Sequence, residues 1–407
     1  ALLPKQTRGE TVTVCMKFKS GDEKNLFGKA NLQPVAAAML TRGTKTMTRS
    51  EIEDRMTELK MAGSITNFTT TRKNLPAALE LVFDAMHNSI MPQDEFDQFK
   101  KQMQVMIESM RDKPDALAQN AITQHFNTYP KGDPRYEYSL DESLEQLNKL
   151  TVDQVRAFYK EFGGTSRGEI SIVGDFDPKA VEKIIRDDYA KYVSKAHYAP
   201  VVTEYRPVKA TRVVIDTPDK ENAIIVARSV FPINDTAPDA PALTVANWIL
   251  GGGTGLSNRL IERLRQKEGL SYGAGSHVRI PAKGDNGSFV FRAIVAPQNM
   301  LQAEASARDV IAKAIKDGFT DQEVEEAKKG LLQAMQVARS QDDVVARSWN
   351  DKMENQRTWA FSKKQAEAIS KLTTADVNAA LRKYIKPDEI TFVLAGDQKK
   401  ASQKKQD

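Results

Sequence analysis

Apolar and polar positions fall into two alternating regimes along the chain. Period-two runs such as 11–18 and 223–228 predict strands, and long 3.6-period stretches such as 94–110 predict helices with one apolar face. The helices come in consecutive runs rather than one per strand, which favours antiparallel sheets with helices packed on one face, an α+β class. The order of elements then recurs. Thr151 caps a helix that leads to a strand over 169–173 and Gly174-Asp175; Thr373 opens the same series, with a strand over 390–394 and Gly396-Asp397. The helices following Asn74-Leu75 and Asn299-Met300 are each followed by a turn and a new helix start, at 92–95 and 320–323. A repeat this long implies duplication of a whole domain rather than a solenoid. The two prolines and absent helical period of 196–207 place the boundary there, giving units of 1–200 and 208–400 and a basic tail at 401–407.

Composition narrows the function classes. In 407 residues, 40% hydrophobic and 28% charged, there is room for two cores, and no run approaches the ~18 apolar residues of a membrane helix. The net charge of +5 is dispersed except for Lys399-Lys400 and Lys404-Lys405, which read as a solvated tail, so nucleic-acid binding is not indicated. The single Cys15 excludes an internal disulfide and a thiolate cluster and leaves the redox compartment open. A chain opening on Ala1 without a charged-then-apolar leader reads as a processed product or a piece of a longer polypeptide.

The most informative stretch is 243–276. A helix through Leu250 runs into Gly251-Gly252-Gly253-Thr254-Gly255-Leu256-Ser257-Asn258, a second helix follows to Lys267, and Gly269-Leu270-Ser271-Tyr272-Gly273 closes it. The series lacks the Lys that a P-loop places before its Ser or Thr. It resembles the second-domain signature of the pitrilysin/insulysin zinc peptidases, in which a helix ending in Leu-Arg precedes Gly-Leu-x-Tyr; the Arg265 to Tyr272 spacing fits without a gap. The resemblance extends over essentially the whole chain, since 28–44 follows the family's first helix and the helix near Phe99 its glutamate-bearing helix. It implies two similar α+β domains forming one half of a clamshell around a peptide-cutting chamber.

Active members of that family carry His-x-x-Glu-His on the first helix, two zinc ligands and a general base. Alignment puts Pro34, Ala37 and Ala38 at those places and Ser109 at the later glutamate ligand, with Glu108 one residue away and Gln102 at an accompanying acidic position. No pair among His87, His125, His197 and His277 has i,i+3 or i,i+4 spacing. The resemblance therefore implies a non-catalytic half, with no metal or cofactor of its own and zinc in a partner. That partner would be a His-x-x-Glu-His half, on the same polypeptide or a separate subunit. The ligand would be a peptide, and the periplasm is the expected compartment, since bacterial relatives of this pattern are often exported. Arg265 and Tyr272 would then reach toward the substrate as oxyanion donors, each worth on the order of 10²-fold in rate. Gly252, Gly253 and Ser276 would border the bound peptide.

Each assignment has a structural counterpart. An Arg at a helix end also satisfies the last carbonyls, and a strand Tyr also packs half-buried. The triple glycine could cradle an anion at the start of the Leu256 helix, but a helix C-cap is the commoner arrangement. The threonine-rich strand 64–71 could add a peptide at an edge or be one solvated sheet face. At the level of the whole chain, the competing classes are an inactive scaffolding member and a peptide-binding module that does not cut.

Overall fold

Every position of the strand Thr391–Gly396 is buried, which cannot hold for a strand with one solvated face. The architecture supplies the second cover. In chain order the strands are β1 (Leu2–Pro4), β2 (Thr11–Phe18), β3 (Ala62–Ser64), β4 (Asn67–Thr71), β5 (Gly168–Gly174), β6 (Arg212–Asp216), β7 (Ala223–Pro232), β8 (Ser271–Arg279), β9 (Asn286–Val295) and β10 (Thr391–Gly396). They form two five-stranded sheets, ordered β1-β5-β2-β4-β3 and β6-β10-β7-β9-β8. Counting the second set from β6 gives the same order, so the chain is a duplicated α+β fold. Each sheet is antiparallel apart from one parallel outer pair, β1 with β5 and β6 with β10. The computed structural model describes residues 1–253 and 258–402.

The helices of the first half are α1 (Leu32–Met39), α2 (Arg49–Glu58), α3 (Leu75–His87), α4 (Gln93–Met110), α5 (Pro114–His125), α6 (Leu140–Lys149), α7 (Val152–Phe162) and α8 (Pro178–Asp187). Those of the second are α9 (Ala240–Asn247), α10 (Arg259–Ile261), α11 (Met300–Asp317), α12 (Asp321–Ala338), α13 (Asp342–Glu354), α14 (Trp359–Lys371), α15 (Thr374–Tyr384) and α16 (Gln398–Ser402). Local chemistry fixes their starts. Thr151 with Gln154, Thr320 with Glu323 and Thr373 with Asp376 each form a reciprocal capping box.

Each half packs its helices on one face of its own sheet. Val12, Val14 and Met16 of β2 meet Leu79 and Val82 of α3 and Val155 and Phe158 of α7. Ile225 and Ala227 of β7, with Phe392 and Leu394 of β10, meet Leu243 of α9 and Leu381 of α15. The opposite faces are covered by exchange. Ala118 and Ile122 of α5, a first-half helix, sit on Ile224, Val226, Val393 and Ala395 of the second sheet. Reciprocally, Val345 and Ala346 of α13 sit on Leu3, Cys15 and Val173 of the first. Period-two alternation sends Ile224 and Val226 to one face and Ile225 and Ala227 to the other, so β7 and β10 read as unbroken apolar runs.

Two local expectations change. The predicted strand 64–71 is a hairpin: Ile65 and Thr66 form a two-residue turn, and β4 pairs with β2 on one side and β3 on the other. Burial of Ile65 and the positive φ of Gly63 favour the reversal. The sheet edge is therefore the three-residue β3, and the threonine-rich strand is interior. The segment 193–211 carries no helix or strand but is tied down. Arg135 and Arg206 stack on the Tyr129 ring at 4.1 Å each, Arg135 donates to the Val202 carbonyl, and Asp285 accepts from the Tyr205 amide at 2.7 Å. Lys399 and Lys400 lie on α16 rather than on a free tail. Among the described residues no helix is long and apolar enough to cross a membrane.

Candidate functional site

Arg265 and Tyr272 emerge from a single turn whose root is buried. After α9 the helix widens to π geometry over Trp248–Gly252 and ends at Gly253. Buried Asn258 then donates to the Gly253 carbonyl at 3.3 Å and caps α10 by accepting from the Ile261 amide at 2.9 Å. Arg259 holds the segment to α12 by two bonds to the Glu323 carboxylate, 2.7 and 2.8 Å, and one to the Gly318 carbonyl. A second π segment, Glu262–Lys267, follows. Gly269, at φ 60°, reverses the chain so that the Leu270 amide reaches the Leu264 carbonyl at 2.8 Å, with both leucines in the core.

Arg265 faces outward from this scaffold. Its neighbours are occupied, Arg263 with Glu268 and Lys267 with Glu262 at 2.8 Å. No group among the described residues accepts from Arg265, so the carbonyl-capping alternative does not describe it.

Tyr272 is the extra residue of a β-bulge: Ser271 pairs with Val295 and Gly273 with Ile294. The Ser271 hydroxyl pins the bulge, donating to the Ile294 carbonyl at 3.0 Å and accepting from the Gly273 amide at 3.0 Å. A bulge re-aims a side chain, and here it leaves the Tyr272 ring 66% exposed. The packing alternative for this tyrosine does not describe it either. Neither the π turns nor the bulge has a signature in residue type alone.

The glycines serve a close approach of helix to strand. A Cβ on Gly251 would stand 2.5 Å from the Ser276 hydroxyl oxygen, and one on Gly252 would collide with the Asn247 amide. The Ser276 hydroxyl donates to Asn247 Oδ1 at 2.8 Å, and Asn247 Nδ2 donates back to the Ser276 carbonyl at 3.4 Å. Gly253 is the C-cap in extended rather than left-handed geometry, φ −65° and ψ 147°. The anion cradle suggested for the start of the Leu256 helix falls at 254–257, outside the described residues.

The places aligned with zinc ligands do not fit a metal. Pro34 and Ala38 of α1 face Phe99, Met103 and Ile107 of α4 across a cavity of about 530 Å³ that Tyr136 and Tyr138 close. Ala37 points outward, and exposed Ser109 donates to its own helix at Met106. Glu108 pairs with Arg111 at 3.3 Å, and Gln102 accepts from Arg42 at 3.2 Å. Three of the four aligned positions carry no donor atom, and the cavity walls are mainly apolar and aromatic, with Asn31, Glu137, Ser143 and Gln146 the polar lining. Among the described residues no three His, Cys, Asp or Glu side chains converge. The cavity has no signature in the sequence, because its α6 and loop walls are remote in the chain.

The fold and the turn at Gly269 can be set beside known proteins. Residues 149–331 match the family model described as the peptidase M16 inactive domain. An uncharacterized zinc protease of Mycobacterium bovis is 24% identical over 299 residues, 70% of this chain and 66% of the relative, so the aligned chain spans just under two thirds of that protein. A Helicobacter pylori protein named non-peptidase homolog YmxG is 20% identical over 401 residues, 95% of this chain and 89% of the relative. A peptidase M16 inactive domain from Pseudomonas fluorescens shares the fold with a TM-score of 0.81 at 20% identity, covering 97% of this chain and 94% of that one.

Proposed function

We propose that this chain is the non-catalytic half of a zinc metalloendopeptidase of the pitrilysin type. It closes the chamber and presents Arg265 and Tyr272 to a peptide held at the zinc of a His-x-x-Glu-His half, fused or separate. The carrying observation is the pairing of an unengaged guanidinium with an outward phenol on one rigid turn. Both groups donate hydrogen bonds without binding metal. Aimed at the tetrahedral intermediate of peptide hydrolysis, they would stabilise the oxyanion, while the water-activating chemistry belongs to the zinc of the partner. Gly252, Gly253 and Ser276 would border the bound peptide, with Gly252 and Ser276 at the helix-to-strand contact that positions β8.

The test is peptide hydrolysis by this chain alone, by the complete assembly, and by the assembly carrying Arg265→Ala or Tyr272→Phe. The reading expects an inert chain, an active assembly, and losses on the order of 10²-fold in each variant. An unchanged rate in both variants would overturn it in favour of the scaffolding reading, which the near full-length likeness to a protein named a non-peptidase homolog supports.

A further inference from the structure

The face of the second sheet that receives α5 carries a charge with no ion-pair partner among the described residues. Ile224, Val226 and Arg228 alternate onto this face of β7, and Arg228 comes next after the apolar pair that seats Ala118 and Ile122. Its guanidinium lies over the ring of Phe126, 4.8 Å from the centroid, at the end of α5. The Nε is sealed from solvent without a hydrogen-bond partner, and no carboxylate among the described residues lies within ion-pair distance of the group. Directly paired residues of adjacent antiparallel strands share a face. Arg228 pairs with Val290 and Val290 with His277, so His277 and, two residues on, Arg279 stand on the same face of β8. Arg279 likewise has no carboxylate partner among the described residues. Burial, and then the charge of Arg279, push the Arg228 pKa down, with Glu137 opposing. A partly buried cation beside a second cation is costly unless an anion joins them.

We propose that Arg228 and Arg279 form a binding site for a carboxylate, with Phe126 as its apolar floor. Arg292 shares this face but is matched by Asp115, so Arg228 and Arg279 against the Glu137 carboxylate leave a net charge of about +1, which suits a monoanion better than a phosphate dianion. The planar fork of arginine also matches a carboxylate in bidentate geometry. Glu137 also borders the 530 Å³ cavity, whose walls are mainly apolar, so a bulky apolar side chain next to the carboxylate has a place to go. The ligand class is therefore a peptide bearing a carboxylate, at its C-terminus or on an acidic side chain, beside a large apolar residue. This site does not depend on a catalytic partner.

Calorimetric titration and thermal unfolding of the full chain test it, with three probes: acetyl-Ala-Ala-Phe with a free carboxylate, the same peptide amidated, and amidated acetyl-Ala-Asp-Phe. Binding of the free acid with at least tenfold loss on amidation supports the site. Binding of the Asp peptide would assign the carboxylate to a side chain, and its failure would assign it to the C-terminus. Arg279→Gln, an exposed change, should weaken binding several-fold, and Arg228→Gln should abolish it. Arg228→Met should raise the melting temperature without ligand, because the unbalanced charge is gone, and should remove the ligand-induced shift. Equal binding of acid and amide, or no binding of any probe, would overturn the proposal. So would an Arg228→Met chain that melts lower and binds like the parent, which would make Arg228 a prop for Phe126.

Discussion

The Ser171 hydroxyl of β5 donates to Asn350 Oδ1 of α13 at 2.6 Å, a buried hydrogen bond between the sheet of one half and a helix of the other. Asn350 is 1% exposed, and its Nδ2 donates to the Cys15 carbonyl at 2.9 Å. The amide thus satisfies two polar groups of the first sheet under α13, beside the apolar contacts of Val345 and Ala346. Asn350→Leu strands both and should cost about 2–3 kcal/mol, measured by urea unfolding. Adding Ser171→Ala to it should return part of that loss, since one stranded group is then removed.

The bulge at Tyr272 rests on one hydroxyl. Ser271→Ala removes the bonds to the Gly273 and Ile294 backbone and should cost about 1 kcal/mol in stability. In an active assembly it should also lower kcat, because the ring loses the geometry that turns it outward. Unchanged kcat alongside lower stability would separate the bulge from Tyr272 function.

Gly251→Ala tests the close approach of helix and strand. The new methyl would meet the Ser276 hydroxyl at 2.5 Å and Leu260 Cδ1 at 2.7 Å, and neither can withdraw without losing the Asn247 clamp or opening the core. A loss of about 1–3 kcal/mol is expected from thermal unfolding.

Glu304 predicts an acid-sensitive term. It is 5% exposed and accepts from Arg212 at 2.7–3.0 Å and from Arg308 at 2.9–3.0 Å. Burial alone would raise its pKa, but the bonds from the two arginines outweigh this and hold it below the ordinary glutamate value. A lowered folded-state pKa gives a contribution that is whole above the unfolded value of about 4.3 and is lost as pH falls through the folded value. Glu304→Gln should therefore reduce stability near neutrality by about 2 kcal/mol, discounted for the half-exposed arginines, and flatten the decline below about pH 4.5. Unfolding midpoints of both proteins from pH 3 to 7 check it.

Much of this molecule is written in local pattern. The strand 11–18 appears with its expected limits, the 94–110 helix within one residue, and the helix starts at Thr151 and Thr373 where residue type placed them. That Pro34, Ala37 and Ala38 offer no side-chain ligand atom is a property of residue type, whatever the fold does with them. The rest depends on long-range placement. The hairpin at Ile65 breaks a polar run with no Asn-Gly turn signal to announce it. The cavity beside α1 takes walls from α4, α6 and the 134–138 loop. Arg228 looks from sequence like any polar residue in a strand, and only the arrival of Phe126 makes its charge conspicuous.

The exchange of α5 and α13 changes what the duplication means. Cutting the chain within 193–211 would leave each sheet holding one of its own helix layers and missing the other, with Ile224, Val226, Val393 and Ala395 bared on one fragment and Cys15 and Val173 on the other. Neither fragment is a finished folding unit. The repeat behaves as an obligate homodimer-like pair whose subunits happen to share a backbone, and two separately produced halves should find each other in solution or aggregate along those faces.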